Sequence, residues 1–267
     1  MKPPLHGVVV LTGASSGIGA AMAEELGEAR VLVLVARRVD RLESLAARLP
    51  NAEARPCDLR DLEACEALIA GIEADHGGVD VLINNAGLGD IELFERTPVD
   101  KVMLLIDVNV RALTWLTHRV LPGMLERGRG GILNVSSGYG MTWTPLASIY
   151  GGSKHYVSAF TEALRSELYG TGVVVTQTCP GPVVTEFWEV AGNPTGFDVP
   201  SWVQIPAAQC ARESLRGFRR GRAMVVTGWL QWLVTTLGRV SPWWVLRLVY
   251  WPIGGWVRRR ARQSSAQ

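Results

Sequence analysis

Runs rich in valine and leucine recur along the chain: GVVVLTG, ARVLVLVAR, VDVLINNAG, GGILNVSSG, GVVVTQTCPG and, last, RAMVVTG. Short continuous apolar runs suit strands covered on both faces, and the stretches between them are long enough for crossover helices. Two of those stretches, RRVDRLESLAARL and RDLEACEALIAGIEADHG, return leucine or alanine every three or four positions and keep charge on the other face. The alternation predicts an α/β fold, a Rossmann-type doubly wound parallel sheet in a single domain. No internal repeat or low-complexity linker interrupts it. The pattern ends with RAMVVTG, which sets an expected catalytic domain at 1–227 and an apolar, basic extension at 228–267 that is not an independent domain.

Composition narrows the class. Of 267 residues, 48% are hydrophobic and 19% charged, and the mean hydropathy is +0.14, apolar for a soluble protein, so some greasy surface is expected to be exposed or occupied. A net charge of +2, without a basic stripe interleaved with aromatics in the first two hundred residues, argues against a nucleic-acid partner. Cys57, Cys65, Cys179 and Cys210 form no CxxC pair, and His6, His76, His118 and His155 are scattered, so no metal site is expected and the thiols read as reduced. MKPPLHGVVVLTG runs into a strand with no room for a signal core, which sets a cytoplasmic expectation.

The first strand leads into TGASSGIGAAMAEEL, with Gly13, Gly17 and Gly19. A glycine-rich turn between strand and helix lets backbone approach a diphosphate, and the helix N-terminus offers free N–H groups. Glycines also serve ordinary turns, but the flanking strand and helix favour a dinucleotide site. At the end of the second strand, where an acid binds the ribose hydroxyls of NAD, the chain reads VARR; Arg37 and Arg38 suit the extra phosphate of NADP(H) instead. The alternative is that both arginines only solvate the next helix.

In SIYGGSKHYVSAF, Tyr150 and Lys154 stand four residues apart and share a helix face. An ammonium near a phenol stabilises the phenolate, so the pair is suited to proton exchange, although the spacing alone also arises by chance. Taken with TGASSGIG, NNAG at 84–87, Asn109, NVSSGYG at 134–140, YGGSK at 150–154 and PGPVVT at 180–185, the chain resembles the short-chain dehydrogenase/reductase family over roughly residues 5–227.

The resemblance implies an NADP(H)-dependent oxidoreductase with a catalytic tetrad of Asn109, Ser137, Tyr150 and Lys154. It implies that Tyr150 moves the proton and Ser137 polarises the substrate oxygen. Lys154 would bind the nicotinamide ribose and depress the tyrosine pKa, while Asn109 positions a water. Ser137 is preferred to Ser136 on its spacing to the tyrosine. By the same resemblance, Gly13, Ser15, Gly17, Ile18 and Gly19 meet the phosphates, Asp58 the adenine, and Asn85, Ala86 and Gly87 the nucleotide cleft. Pro180, Gly181, Val183 and Thr185 seat the nicotinamide, and Asn84 ties strands together.

After PGPVVT the family carries a lid, here EFWEVAGNPTGFDVPSWVQIP. Phe187, Trp188, Phe197 and Trp202, with Tyr139, Met141 and Trp143 from GYGMTWTP, predict an apolar wall; Glu186, Glu189 and Asp198 leave no cation for an anionic substrate. The expected substrate is a lipophilic ketone or alcohol, the alternative for each residue being packing of the lid onto the core.

Six of the ten tryptophans fall in the extension, arginines recur through Arg262, and no aspartate or glutamate occurs from Ser214 onward. Arg239, Pro242, Arg247 and Pro252 are expected to cut the segment into helices too short to span a membrane. Two readings stay open: peripheral contact with the inner face of a membrane, or packing over the substrate mouth with Arg247 stacked on Trp243 or Trp251. In the family, helices near residues 100–127 and 148–169 form a dimer interface, and a bulky segment after the last strand obstructs the further contact that makes tetramers, so a homodimer is expected. Two functional rivals remain, a soluble acyl-ketone reductase with a structural tail and a non-catalytic nucleotide-sensing or scaffold protein.

Overall fold

A computed structural model describes residues 2–192, 194 and 199–264; Phe197 and Asp198 of the expected lid lie outside the described residues. The chain alternates β1 (Val8–Thr12), α1 (Gly17–Glu24), β2 (Val31–Ala36), α2 (Val39–Ala46), β3 (Ala52–Pro56), α3 (Leu62–His76) and β4 (Val81–Asn84). It continues through α4 (Val99–Ile106), α5 (Leu113–Glu126), β5 (Gly130–Val135), α6 (Ser148–Glu167) and β6 (Val173–Pro180). The short β7 (Val183–Val184), α7 (Phe187–Ala191) and β8 (Ile205–Pro206) then lead to α8 (Ala207–Arg219), β9 (Met224–Thr227), α9 (Trp229–Val240) and α10 (Trp243–Ser264).

Seven strands form one sheet in the order β3-β2-β1-β4-β5-β6-β9, and every pair in it is parallel. Helices cover both faces. One apolar cluster joins Val9, Leu11 and Leu34 to Met22, Leu215 and Phe218; the other joins Val8, Val10 and Val33 to Ile69, Leu116 and Met124. Alternate residues of the same strands feed opposite layers, which is why these strands read as unbroken apolar runs. The order reverses between β1 and β4, and their C-terminal ends open the crevice where ligands of such sheets bind.

Local signals set several boundaries. Asp61 caps α3, its Oδ1 accepting from the N–H groups of Glu63 at 2.9 Å and Ala64 at 3.0 Å, and Gly77 closes it at φ 81°. Sequence reading misses β3, because AEARP lies at the sheet edge with no fully buried residue and so lacks the apolar run of the central strands. A second correction concerns the extension. Pro252 does not cut it: α10 runs continuously from Trp243 to Ser264 with that proline inside. Among the described residues, no helix is long and apolar enough to cross a membrane.

Candidate active site

The turn after β1 fits against the loop after β4 without room for a side chain. Gly13 adopts φ +67°, and a Cβ there would lie 2.7 Å from the Ala86 Cα. Asn85 locks the two loops together: its Nδ2 donates to the carbonyls of Thr12 at 2.9 Å and Gly13 at 3.1 Å. The Thr12 hydroxyl in turn accepts from the backbone N–H groups of Asn85 and Ala86, both at 3.0 Å. NNAG is thus a clamp on the glycine turn. Its first residue, Asn84, bridges β4 to β5 and α5, donating to Asn134 Oδ1 at 2.9 Å and Thr117 Oγ1 at 3.0 Å. Among the described residues no side chain caps α1, so its leading N–H groups are left to an anion, and this cradle suits the diphosphate of a dinucleotide.

The basic end of the crevice differs from expectation in one respect. Arg38 is already engaged: it donates to Ser15 Oγ at 3.2 Å, to Ser16 Oγ at 2.5 Å and to Glu186 Oε2 at 2.9 Å. Arg41 donates to the other oxygen of Glu186 at 2.7 Å, and the two guanidinium groups hold that carboxyl below its usual range. Arg37 is exposed on the same rim. Asp58 is held by Arg60, whose Nη2 lies 2.5 Å from Oδ2 and keeps its pKa down.

The catalytic candidates converge where α6 begins. Leu146 precedes the helix in the left-handed region, φ 73°, uncommon for a residue with a side chain. Tyr150 and Lys154 are then buried on one face of α6. The two adjacent serines divide their work. Ser137 Oγ accepts from the Tyr139 N–H at 3.2 Å and lines the cavity with Tyr150; Ser136 donates to the Lys154 carbonyl at 3.1 Å and shares a 2.7 Å contact with Ser158 Oγ. Burial raises the Tyr150 pKa, and the neighbouring Ser137 hydroxyl is the opposing pull. Lys154 does not supply the expected depression, since its Nζ lies 6.0 Å from the tyrosine ring centre and donates to the Val135 carbonyl at 2.8 Å. Desolvation lowers Lys154 itself to about 8.

Asn109 sits in a π-turn, Asp107–Ala112, between α4 and α5, a distortion frequent at functional sites. Its amide is spent on structure: Oδ1 accepts from Leu88 N–H at 2.8 Å, and Nδ2 donates to the Leu88 carbonyl at 2.9 Å and Ser153 Oγ at 3.0 Å. It therefore ties the β4 loop to α6 from beneath and is fully buried.

A cavity of about 580 Å³ runs from Arg37, Asp58 and the glycine turn to Ser137, Tyr150 and Lys154. Ser15, Ile18, Asn85, Ala86, Gly87, Pro180, Gly181, Val183 and Thr185 line the same space. Of the expected substrate wall, Tyr139, Phe187 and Trp188 line it. Phe187 packs 5.3 Å from the Tyr150 ring and fills the space that a Cβ on Gly89 would need.

Met141 and Trp143 do not line the cavity; their neighbours Thr142 and Thr144 do. Trp143 is turned onto Tyr250, with ring centres 4.7 Å apart. Trp202 is 74% exposed and also stands away from it.

Sequence reasoning missed three residues from the extension, Gln231 and Val234 of α9 and Tyr250 of α10, which line the cavity beside the catalytic groups. Gln231 is wedged between two catalytic loops: a Cβ on Gly138 would overlap its Nε2, and one on Gly181 would lie 2.8 Å from its Oε1. The one available signal was that Gln231 is polar within a strongly apolar segment.

Comparison with known proteins gives the same picture. The family model described as short chain dehydrogenase matches residues 7–194. A fatty acyl-CoA reductase of Mycobacterium tuberculosis is 35% identical over 259 residues, 90% of this chain and 83% of the relative. An NADP-dependent 3-hydroxy acid dehydrogenase of Salmonella typhi is 37% identical over 187 residues, 68% of this chain and 75% of the relative. The solved structure of a short-chain dehydrogenase from Sphingobium yanoikuyae in complex with NADPH superposes with a TM-score of 0.75 at 33% identity, covering 82% of this chain and 87% of that one. The chain belongs to the short-chain dehydrogenase/reductase family of NAD(P)-dependent oxidoreductases acting on CH–OH groups.

Proposed function

We propose that the protein transfers hydride between NADP(H) and a lipophilic carbonyl or hydroxyl compound. The observation that carries this is the placement of Ser137, Tyr150 and Lys154 in one cavity walled further by Phe187, Trp188, Val234 and Tyr250. When bound, the dinucleotide supplies or accepts the hydride. Ser137 polarises the substrate oxygen, and in reduction Tyr150 gives that oxygen its phenol proton, leaving a phenolate to be reprotonated from solvent. Burial keeps Tyr150 protonated at neutral pH, the state that reduction needs. Lys154, held by the Val135 carbonyl in the same cavity, would bind the nicotinamide ribose when the dinucleotide is present.

Preference for NADP(H) is supported by the basic rim at Arg37 and Arg38 and by Ala36, which leaves no acid at the end of β2. A relative named for NADP and a neighbour solved with NADPH are consistent with it. The lipophilic substrate is supported by the wall, which carries no cation at its aromatic end, and by a relative named a fatty acyl-CoA reductase. A homodimer across α4, α5 and α6 fits the exposed apolar side chains Val99, Met103 and Tyr156; a dimer mass in sedimentation supports it, and a compact tetramer counts against it. The function is tested by NADPH oxidation against ketones and aldehydes of graded chain length. Rising kcat/KM with chain length is expected, and activity confined to short polar carbonyls overturns the substrate class.

A further inference from the structure

The extension is built with its polarity reversed. On α9 the residues facing the protein are Gln231, Thr235 and Gly238: Gln231 reaches the catalytic loops, Thr235 is 1% exposed, and Gly238 packs on Thr142. The opposite face, Trp229, Trp232, Leu233, Leu237 and Val240 at spacings of three and four, is 41–74% exposed. A helix packed on a soluble core normally shows the opposite arrangement.

α10 repeats the feature. Tyr250 and Val257 face inward, with Tyr250 Oη 3.3 Å from Thr142 Oγ1 and Val257 5% exposed, while Trp244, Leu248 and Trp251 are 64–70% exposed. Isolated apolar residues on a surface need no explanation, but two consecutive helices with aligned outward stripes do.

Charge selects the occupant. Residues 228–267 contain six arginines and no aspartate, glutamate, lysine or histidine. Arg258 is spent on Glu95 at 2.6 Å, whereas Arg247 and Arg259 are exposed among the tryptophans. A second copy of the chain set against this face would bring like charges together. An anionic lipid surface offers phosphates to the arginines and headgroup depth to the indoles. We infer that the outward faces of α9 and α10 rest on the surface of an anionic bilayer, so that the helices walling the catalytic cavity are also the ones that touch lipid. This contact does not depend on the identity of the substrate.

The full chain is mixed with vesicles of phosphatidylcholine alone or with one quarter phosphatidylglycerol, and binding is read by flotation and by quenching of tryptophan with brominated acyl chains. Binding to the anionic vesicles is expected, with bromine quenching, and with a loss of about fivefold for each of Arg247→Gln and Arg259→Gln. The triple change of Trp232, Trp244 and Trp251 to Gln should abolish flotation while the circular dichroism stays unchanged. Failure to float, or flotation indifferent to these changes, overturns the inference. If the wild type does not float and the tryptophan changes instead lower its mass in light scattering, the face is a contact between copies.

Discussion

Arg38 and Glu186 meet at 2.9 Å across the rim of the cavity, joining the end of β2 to the first residues of the lid. Arg41 takes the other carboxyl oxygen at 2.7 Å. A carboxylate thus sits on the guanidinium that a 2′-phosphate would use. Glu186→Gln removes that competitor and should lower KM for NADPH a few-fold while leaving KM for NADH nearly unchanged. An unchanged or higher KM for NADPH would show that Arg38 takes no part in cofactor choice.

Arg37 is exposed on the same rim and lines the cavity. Arg37→Asp places a negative charge where the 2′-phosphate would lie and should reverse the ratio of kcat/KM between NADPH and NADH, by about a hundredfold or more. If NADPH affinity survives the change, Arg37 plays no part in cofactor choice.

Lys154 links pH to stability. Its folded pKa, about 8, lies below the ordinary lysine value, so between those two the unfolded chain binds the extra proton and stability rises with pH. Below about 8 the cost of burying the ammonium is carried in full. Relative to Lys154→Met, the wild type should gain roughly 3 kcal/mol between pH 7 and pH 10.5. Denaturant melts of both proteins at the two pH values measure it, and a constant difference would mean that Lys154 titrates normally.

Gln231 is tested through its glycine neighbour. Because a Cβ at Gly138 would overlap the flexible end of Gln231, Gly138→Ala should expel that side chain and break its 2.9 Å bond to Thr235 Oγ1. Gly138→Ala and Gln231→Ala should then lower kcat/KM by similar factors, and the double variant should lose little more than either alone. Additive losses would show that the two act separately.

Much of this site is legible in the chain because its chemistry sits in contiguous motifs. The glycine turn, NNAG, Ser137, Tyr150 and Lys154 each lie at the end of a strand or the start of a helix, where a local pattern also fixes the position. What escapes is set by distant packing. The edge strand β3 has no apolar run to announce it. Trp143 points to Tyr250, more than a hundred residues away, rather than into the cavity. Gln231 reaches the catalytic loops only because α9 folds back over the end of the sheet. The sign of the Tyr150 shift likewise depends on burial, which spacing along a helix does not report.

The central claim is that Tyr150 carries the proton. Tyr150→Phe keeps the ring that packs between Tyr139 and Phe187 and removes only the hydroxyl. Single-turnover oxidation of NADPH with a long-chain ketone should fall by at least about 10³-fold, within the range that a general acid contributes. NADPH binding, read by its fluorescence, should stay within about twofold. Hydride transfer persisting near the wild-type rate in that variant would contradict the account.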